Sequence, residues 1–273
     1  MRVKFWGTRG SVPTPGRATE KFGGNTTCVE VNAAGQRLIL DGGTGIRELG
    51  LEMAEEAPGE SVLLFSHFHW DHIQGLPFFQ PLFDDGHELR VCAPPAFRDR
   101  LEKVLNKQMA HDVFPVDFGD LSAKLHFETL DPTGTTFGEV QVSAFELVHP
   151  GGCWAYRVVA EGRTLVFATD HEMHPERARP VYERLREQTR DAHLLVCDGQ
   201  YTLEEYPRRE GWGHSTIEHA VMLAREAGVE RLAITHHDPM REDVDLSELE
   251  RQTRKTEDEL QVFFARDGLA VTV

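Results

Sequence analysis

The segment His67-Phe68-His69-Trp70-Asp71-His72 places three imidazoles and a carboxylate within six residues, directly after the apolar run Val62-Leu63-Leu64-Phe65. Packed together without an ion, these groups would each need a separate hydrogen-bond partner and would repel when protonated. Nitrogen and carboxylate donors gathered where a strand ends instead suit a divalent metal. Other good donors follow other apolar runs in the same way: His149 after 145–148, Asp170 after 165–169 and His236 after 232–235. The repeated placement predicts that His67, His69, Asp71, His72, His149, Asp170 and His236 converge on one sheet edge. His237 is the alternative to His236, because spacing cannot separate neighbours, and His171 and His174 read as loop residues. Zinc is the first expectation for this donor set, and manganese or iron would suit the same residues.

Such donors need a sheet-rich scaffold. Short β-branched or aromatic runs predict strands over 3–6, 27–31, 37–40, 62–65, 89–93, 140–148, 154–160, 164–168, 194–197, 231–235, 261–265 and 269–273. Helical spacing predicts helices over 46–55, 97–109, 176–189, 216–227 and 246–259. The turns at 33–36 and 161–163 are too short for a crossover helix, so antiparallel hairpins mix with helical connections. Two packed sheets with helices on their outer faces satisfy this pattern most economically. No repeat, low-complexity block or linker divides the chain, which predicts a single domain over 1–273. Ser215 with Glu218 reads as a capping box and Gly228 as a helix stop, which puts His214 at a helix N-terminus. The segment 94–134, with Phe114, Phe118 and Phe127, reads as a lid, a dimer contact or ordinary core.

Composition narrows the function. The 273 residues carry 29 Lys and Arg against 45 Asp and Glu, a net charge of −16, which argues against a protein that grips nucleic-acid backbones. Forty per cent apolar and 27% charged residues are those of a soluble globular protein. Four cysteines without C-x-x-C spacing, and a start without a basic segment followed by an apolar run, predict reduced thiols and a cytoplasmic location. No apolar stretch approaches the roughly 20 residues of a membrane span.

The H-x-H-x-D-H run, the later lone His149, Asp170 after a strand and the closing Thr235-His236 resemble the metallo-β-lactamase fold of metal-dependent hydrolases. Segments 7–11, 41–45 and 265–268 extend the resemblance over nearly the whole chain, and it implies an αββα sandwich of two mixed sheets flanked by helices. Gly213-His214-Ser215-Thr216, followed by a helix and the Thr-His strand end, resembles the phosphodiesterase branch that contains tRNA 3′-processing endonuclease and small cyclic-phosphate phosphodiesterases. That branch implies two divalent ions: one on His67, His69 and His149, the second on Asp71, His72 and His236, with Asp170 bridging them. Asp71 would also orient the attacking water or take its proton. His214 would be the general acid, its imidazolium held by Asp198. Asn25, Asp41 and Thr44 read as groups behind the ligands, with a turn after Gly23-Gly24 as the alternative for Asn25 and a helix cap for Asp41, and Trp70 and Trp212 read as platforms for a base or as packing.

In that branch the tRNA-processing members carry a substrate arm between the lone His and the bridging Asp, whereas the interval 149–170 has room only for a hairpin. With the charge of −16, this predicts a small phosphodiester such as a cyclic nucleotide or another cyclic phosphate, and makes transfer RNA a poor substrate. Two other readings stand beside it: a carbonyl hydrolase acting on a lactone, thioester or β-lactam, and a nucleotide-binding sensor without turnover. Dimerisation, common in the branch, is compatible with the chain.

Overall fold

A computed structural model describes residues 1–174, 179–257 and 260–273. The first half of the chain forms strands β1 (Arg2–Gly7), β2 (Cys28–Ala33), β3 (Gln36–Leu40), β4 (Glu60–Leu64), β5 (Glu88–Ala93) and β6 (Lys124–Thr129). The second half forms β7 (Thr135–Phe137), β8 (Val140–Leu147), β9 (Cys153–Ala160), β10 (Arg163–Ala168), β11 (Leu194–Asp198), β12 (Arg231–Thr235), β13 (Gln261–Phe264) and β14 (Ala270–Thr272). They assemble into two sheets of seven described strands, ordered β14-β1-β2-β3-β4-β5-β6 and β13-β12-β11-β10-β9-β8-β7. Each sheet is mixed: an antiparallel hairpin, β2-β3 or β9-β10, leads into parallel strands. The hairpin turns are two residues long, with left-handed φ at Ala34 (47°) and Gly35 (73°), and at Glu161 (55°) and Gly162 (70°). Both residues of a type I′ turn need that conformation.

Alternation along the strands decides the layers. Leu38 and Leu40 of β3, Val62 and Leu64 of β4, Leu165 and Phe167 of β10, and Leu194 and Val196 of β11 share one core between the sheets. The intervening Ile39 and Leu63 face outward onto helices α1 (Gly45–Met53) and, further along, α3 (Leu101–Gln108); the short α2 (Trp70–Ile73) lies between them in the chain. Val166, Leu195 and Cys197 face outward onto α4 (Arg179–Thr189), α5 (Ile217–Glu226) and α6 (Asp243–Lys255). Burying each such side chain is worth roughly 1.5–3 kcal/mol relative to exposure, so these strands make a stiff base for whatever follows their ends. The result is the expected αββα sandwich.

Several local expectations change. Strands β6 and β7 were not anticipated: β6 is a half-buried edge strand, whose apolar signal is weak, and β7 has only three residues. Phe97 and Phe118 of segment 94–134 are buried on the outer face of the first sheet, with Phe114 and Phe127 packed partly against them, which is core packing. The N-cap of α5 is Thr216, whose Oγ1 accepts from the His219 N–H (3.0 Å). Ser215 does not cap, because its hydroxyl is committed to the His171 carbonyl (2.5 Å) and the Met173 N–H (3.1 Å). Gly228, at φ 68°, does close the helix in a Schellman arrangement, with Gly228 N–H on Arg225 O and Val229 N–H on Ala224 O. The expected start of the fourth helix at 176 and the expected end of the last at 259 lie outside the described residues. Among the described residues, no helix is long and apolar enough to cross a membrane, and all four cysteines are buried and unpaired.

Candidate metal centre

The predicted donors meet at the C-terminal ends of the strands. His67, His69 and His149 form one cluster and Asp71, His72, Asp170 and His236 another, each with ligand atoms within 4.8 Å of one another. The two groups adjoin: Asp170 Oδ1 lies 3.8 Å from His67 Nε2 and 3.1 Å from His236 Nε2, while its Oδ2 lies 3.1 Å from His72 Nε2. Asp71 Oδ2 stands 3.2 Å from His236 Nε2 and 3.4 Å from His72 Nε2.

The hydrogen bonds behind the imidazoles fix where their protons sit. Nδ1 of His72 faces Asp41 Oδ2 (2.8 Å), Nδ1 of His149 the Gly213 carbonyl (2.8 Å) and Nδ1 of His236 Gln200 Oε1 (3.0 Å). Nδ1 of His67 lies 3.0 Å from Ser66 Oγ, which spends its own proton on Asp41 Oδ2 (2.7 Å). In each case Nδ1 is the donor, so Nε2 is the ring atom turned inward, as in metal-ligating histidines. Nε2 of His67 and of His72 is buried without a hydrogen bond of its own. His149 Nε2 and His69 Nδ1 lie only 3.0 Å apart. Ring nitrogens directed at shared points, with carboxylates between them, fit a divalent ion pair.

The charges balance internally in the same geometry. Burial and the neighbouring His72 push the His67 imidazole well below its usual range. Burial alone would lower His236, but the Asp170 carboxylate outweighs it and holds the ring at about 10. Burial likewise opposes ionisation of Asp170, yet His236 and His72 hold its carboxyl well below the usual range. Divalent ions would take over the role these imidazolium charges play.

Backbone strain is concentrated here. Asp41 (φ 63°), Asp170 (φ 51°) and His236 (φ 58°) are all left-handed non-glycine residues directly after or near strand ends, a conformation that costs of order 1–3 kcal/mol each. The bend at His236 turns its ring into the cluster and sends His237 the other way, where Nε2 donates to the Ala265 carbonyl (2.8 Å). Gly10 makes room for that ring, since a Cβ there would sit 2.4 Å from the His236 Cε1 and Nδ1 atoms.

His214 lies beside the cluster, stacked on His236 at 4.8 Å between ring centroids and 5.2 Å from the ring of His149. Its Nδ1 is 2.7 Å from Asp198 Oδ2, and Asp198 is itself fixed by the N–H groups of Gln200 (3.0 Å) and Ser215 (3.3 Å). Although burial opposes it, His214 keeps the Asp198 carboxyl below its usual range. Asp41 does not cap a helix; it braces Ser66 and His72. The Thr44 hydroxyl donates to Asn25 Oδ1 (3.1 Å). His171 is buried behind the site, and His174 pairs with Glu172. Trp70 and Trp212 are 60% and 56% exposed, so neither is core.

Four positioning residues escaped the reading of the chain. Ser11 donates its N–H to Asp71 Oδ2 (2.7 Å), Ser66 and Gln200 orient ligand imidazoles, and Glu172 accepts from the N–H groups of Gly211 (2.7 Å) and Gly213 (2.9 Å), pinning the loop that enters His214. Only Gln200 left a signal, two residues beyond Asp198 at the same strand end.

Residues 36–237 match the family model described as the beta-lactamase superfamily domain. A protein named Ribonuclease Z from Haloferax volcanii is 30% identical over 319 aligned residues, covering 100% of this chain and 95% of that protein. The metallo-β-lactamase fold protein YhfI from Bacillus subtilis superposes with a TM-score of 0.75 at 21% identity, covering 99% of each chain. Human tRNase Z, short form, superposes at 0.70 with 19% identity, covering 100% of this chain and 99% of that one. These relatives overturn the exclusion of transfer RNA drawn from the net charge and the short 149–170 interval. A charge of −16 is a sum over the whole surface, whereas an anionic substrate responds to the local potential of a cleft.

Proposed function

The chain belongs to the metallo-β-lactamase-fold hydrolases, in their metal-dependent phosphodiesterase branch, and on that premise we propose that it hydrolyses an RNA phosphodiester with two divalent ions, zinc first among them. His67, His69 and His149 would hold one ion and Asp71, His72 and His236 the other, with Asp170 placed against both groups. When bound, such a pair supplies positive charge to the phosphoryl oxygens and lowers the pKa of a water. Asp71, anchored by the Ser11 N–H, would be the group to orient such a water and accept its proton. His214 carries a proton on Nε2 while Nδ1 stays on Asp198, and it donates to the leaving oxygen.

The observation that carries this reading is the buried His214–Asp198 pair against the donor cluster. An alkoxide leaving from phosphorus needs a proton, and a paired imidazole is placed to give it. Cyclic phosphodiesters are a second reading, favoured by the β9-β10 hairpin, which is all the chain builds between His149 and Asp170.

The test is turnover by zinc- or manganese-loaded protein of bis(p-nitrophenyl) phosphate, an oligoribonucleotide, a 2′,3′-cyclic nucleotide, a lactone and a β-lactam. We expect hydrolysis of the diesters with the carbonyl substrates untouched. Carbonyl hydrolysis alone would transfer the site to acyl chemistry, and tight nucleotide binding without product would make the protein a sensor.

A further inference from the structure

Next to the metal cluster a cavity of about 580 Å³ is lined by Tyr201, Arg208 and Arg209 and by the carboxylates Glu204, Glu205 and Asp238. The buried Tyr201 links the cavity wall to the catalytic machinery. Tyr201 follows Gln200, which holds His236, and its ring stands edge-on to His214 at 6.0 Å between centroids. On the far side, the Arg209 guanidinium lies 5.9 Å from the Tyr201 ring and 4.6 Å from that of Trp212. Trp212 is the residue before Gly213-His214.

Arg209 is half-buried and held by two aromatic rings, and no carboxylate pairs with it among the described residues. The acids of the cavity are mostly spoken for: Glu205 is taken by Arg241 and the Thr202 N–H, Asp238 accepts from the Met240 N–H, and Glu204 is exposed. Stacking leaves the planar edge of a guanidinium free, and that edge matches phosphate oxygens in pairs. Charge and π-faces together are the recognition chemistry of single-stranded nucleic acid.

The side of approach follows from the reaction. His214 serves the leaving oxygen, and Arg209 and Trp212 precede it by five and two residues in the same loop, so the leaving-group portion of the substrate extends toward them. We propose that Arg209 binds the next phosphate on the leaving-group side, with the exposed Trp212 flanking the intervening nucleotide. The substrate of this site is then an oligonucleotide, since a cyclic mononucleotide has no second phosphate to offer. This rests on the phosphodiesterase reading for its direction, with His214 as the acid.

The experiment measures binding of a fluorescein-labelled oligoribonucleotide analogue, in which methylene groups replace the bridging leaving-group oxygens so that it cannot be hydrolysed, to zinc-loaded protein by anisotropy across a salt series. Arg209→Ala should weaken binding about tenfold or more, as expected for losing a charged hydrogen bond. It should also reduce the slope of log affinity against log salt by about 0.7, the loss of one phosphate contact on a single strand. Arg209→Lys should keep the slope and lose part of the affinity, and Arg47→Ala, an equal charge change on α1, should behave as wild type. Identical slopes for wild type and Arg209→Ala, or no binding by wild type, overturn the subsite. Unchanged melting temperatures guard against misfolding. Bis(p-nitrophenyl) phosphate turnover by wild type is followed in parallel: slope loss without turnover upholds the subsite and defeats the phosphodiesterase reading, while turnover with equal slopes does the reverse.

Discussion

Asp170→Asn should reduce phosphodiester turnover by at least about 10³-fold, because the carboxylate proposed to bridge the ions lies against both halves of the cluster, and the charge stabilisation a metal pair supplies amounts to several kcal/mol at about 1.4 kcal/mol per tenfold. The substitution keeps the shape of the side chain. Asparagine also tolerates the left-handed backbone at this position (φ 51°), so the fold has no reason to fail. What changes is charge: Oδ1 and Oδ2 now face His236, His72 and His67 at 3.1 to 3.8 Å, and a neutral amide there cannot offset two divalent ions. Metal analysis of the purified variant should accordingly find less than the wild-type complement. Asp41→Asn provides a graded comparison. Asp41 touches His72 and Ser66 behind the ligands, and losing such a partner typically costs 10–100-fold in metal affinity or activity. Equal rates for Asp170→Asn and wild type would remove the bridging role.

His214→Ala should separate substrates by their leaving groups. A general acid contributes about 10²–10⁴-fold where the departing oxygen is strongly basic. A ribose alkoxide leaving from RNA needs that proton, whereas p-nitrophenolate leaves readily without it. We therefore expect a loss of at least about 10²-fold on an oligoribonucleotide and less than about tenfold on bis(p-nitrophenyl) phosphate, with metal content unchanged. Asp198→Asn should show the same pattern in weaker form, because Asp198 acts through the 2.7 Å bond to His214 Nδ1. A uniform loss on both substrates would assign His214 to binding in place of proton transfer.

What could be read along the chain, and what could not, divides by how local the signal is. The candidate donors in 67–72 are legible because one loop carries four of them, and His149, Asp170 and His236 because each follows an apolar strand. The sandwich is legible because strands buried on both faces read as continuous apolar runs. Strand β6 lies at the sheet edge and is only half-buried, so its run Lys-Leu-His-Phe-Glu-Thr offers just two apolar residues, Leu125 and Phe127, despite its alternation. The choice between His236 and His237 depends on a left-handed φ and on the space left by Gly10, more than 200 residues away in the chain, which no spacing rule contains. Ser11 and Glu172 act through contacts with backbone N–H groups or side chains brought near only by the fold. The charge argument about transfer RNA failed for the opposite reason: net charge is legible but global, and recognition is local.

The most direct measurement is anomalous diffraction at the zinc edge from crystals of zinc-loaded protein. The structure predicts two peaks per chain, one enclosed by His67, His69 and His149 and one by Asp71, His72 and His236, with Asp170 reaching both. A single peak, or none among these side chains, would contradict the two-metal account.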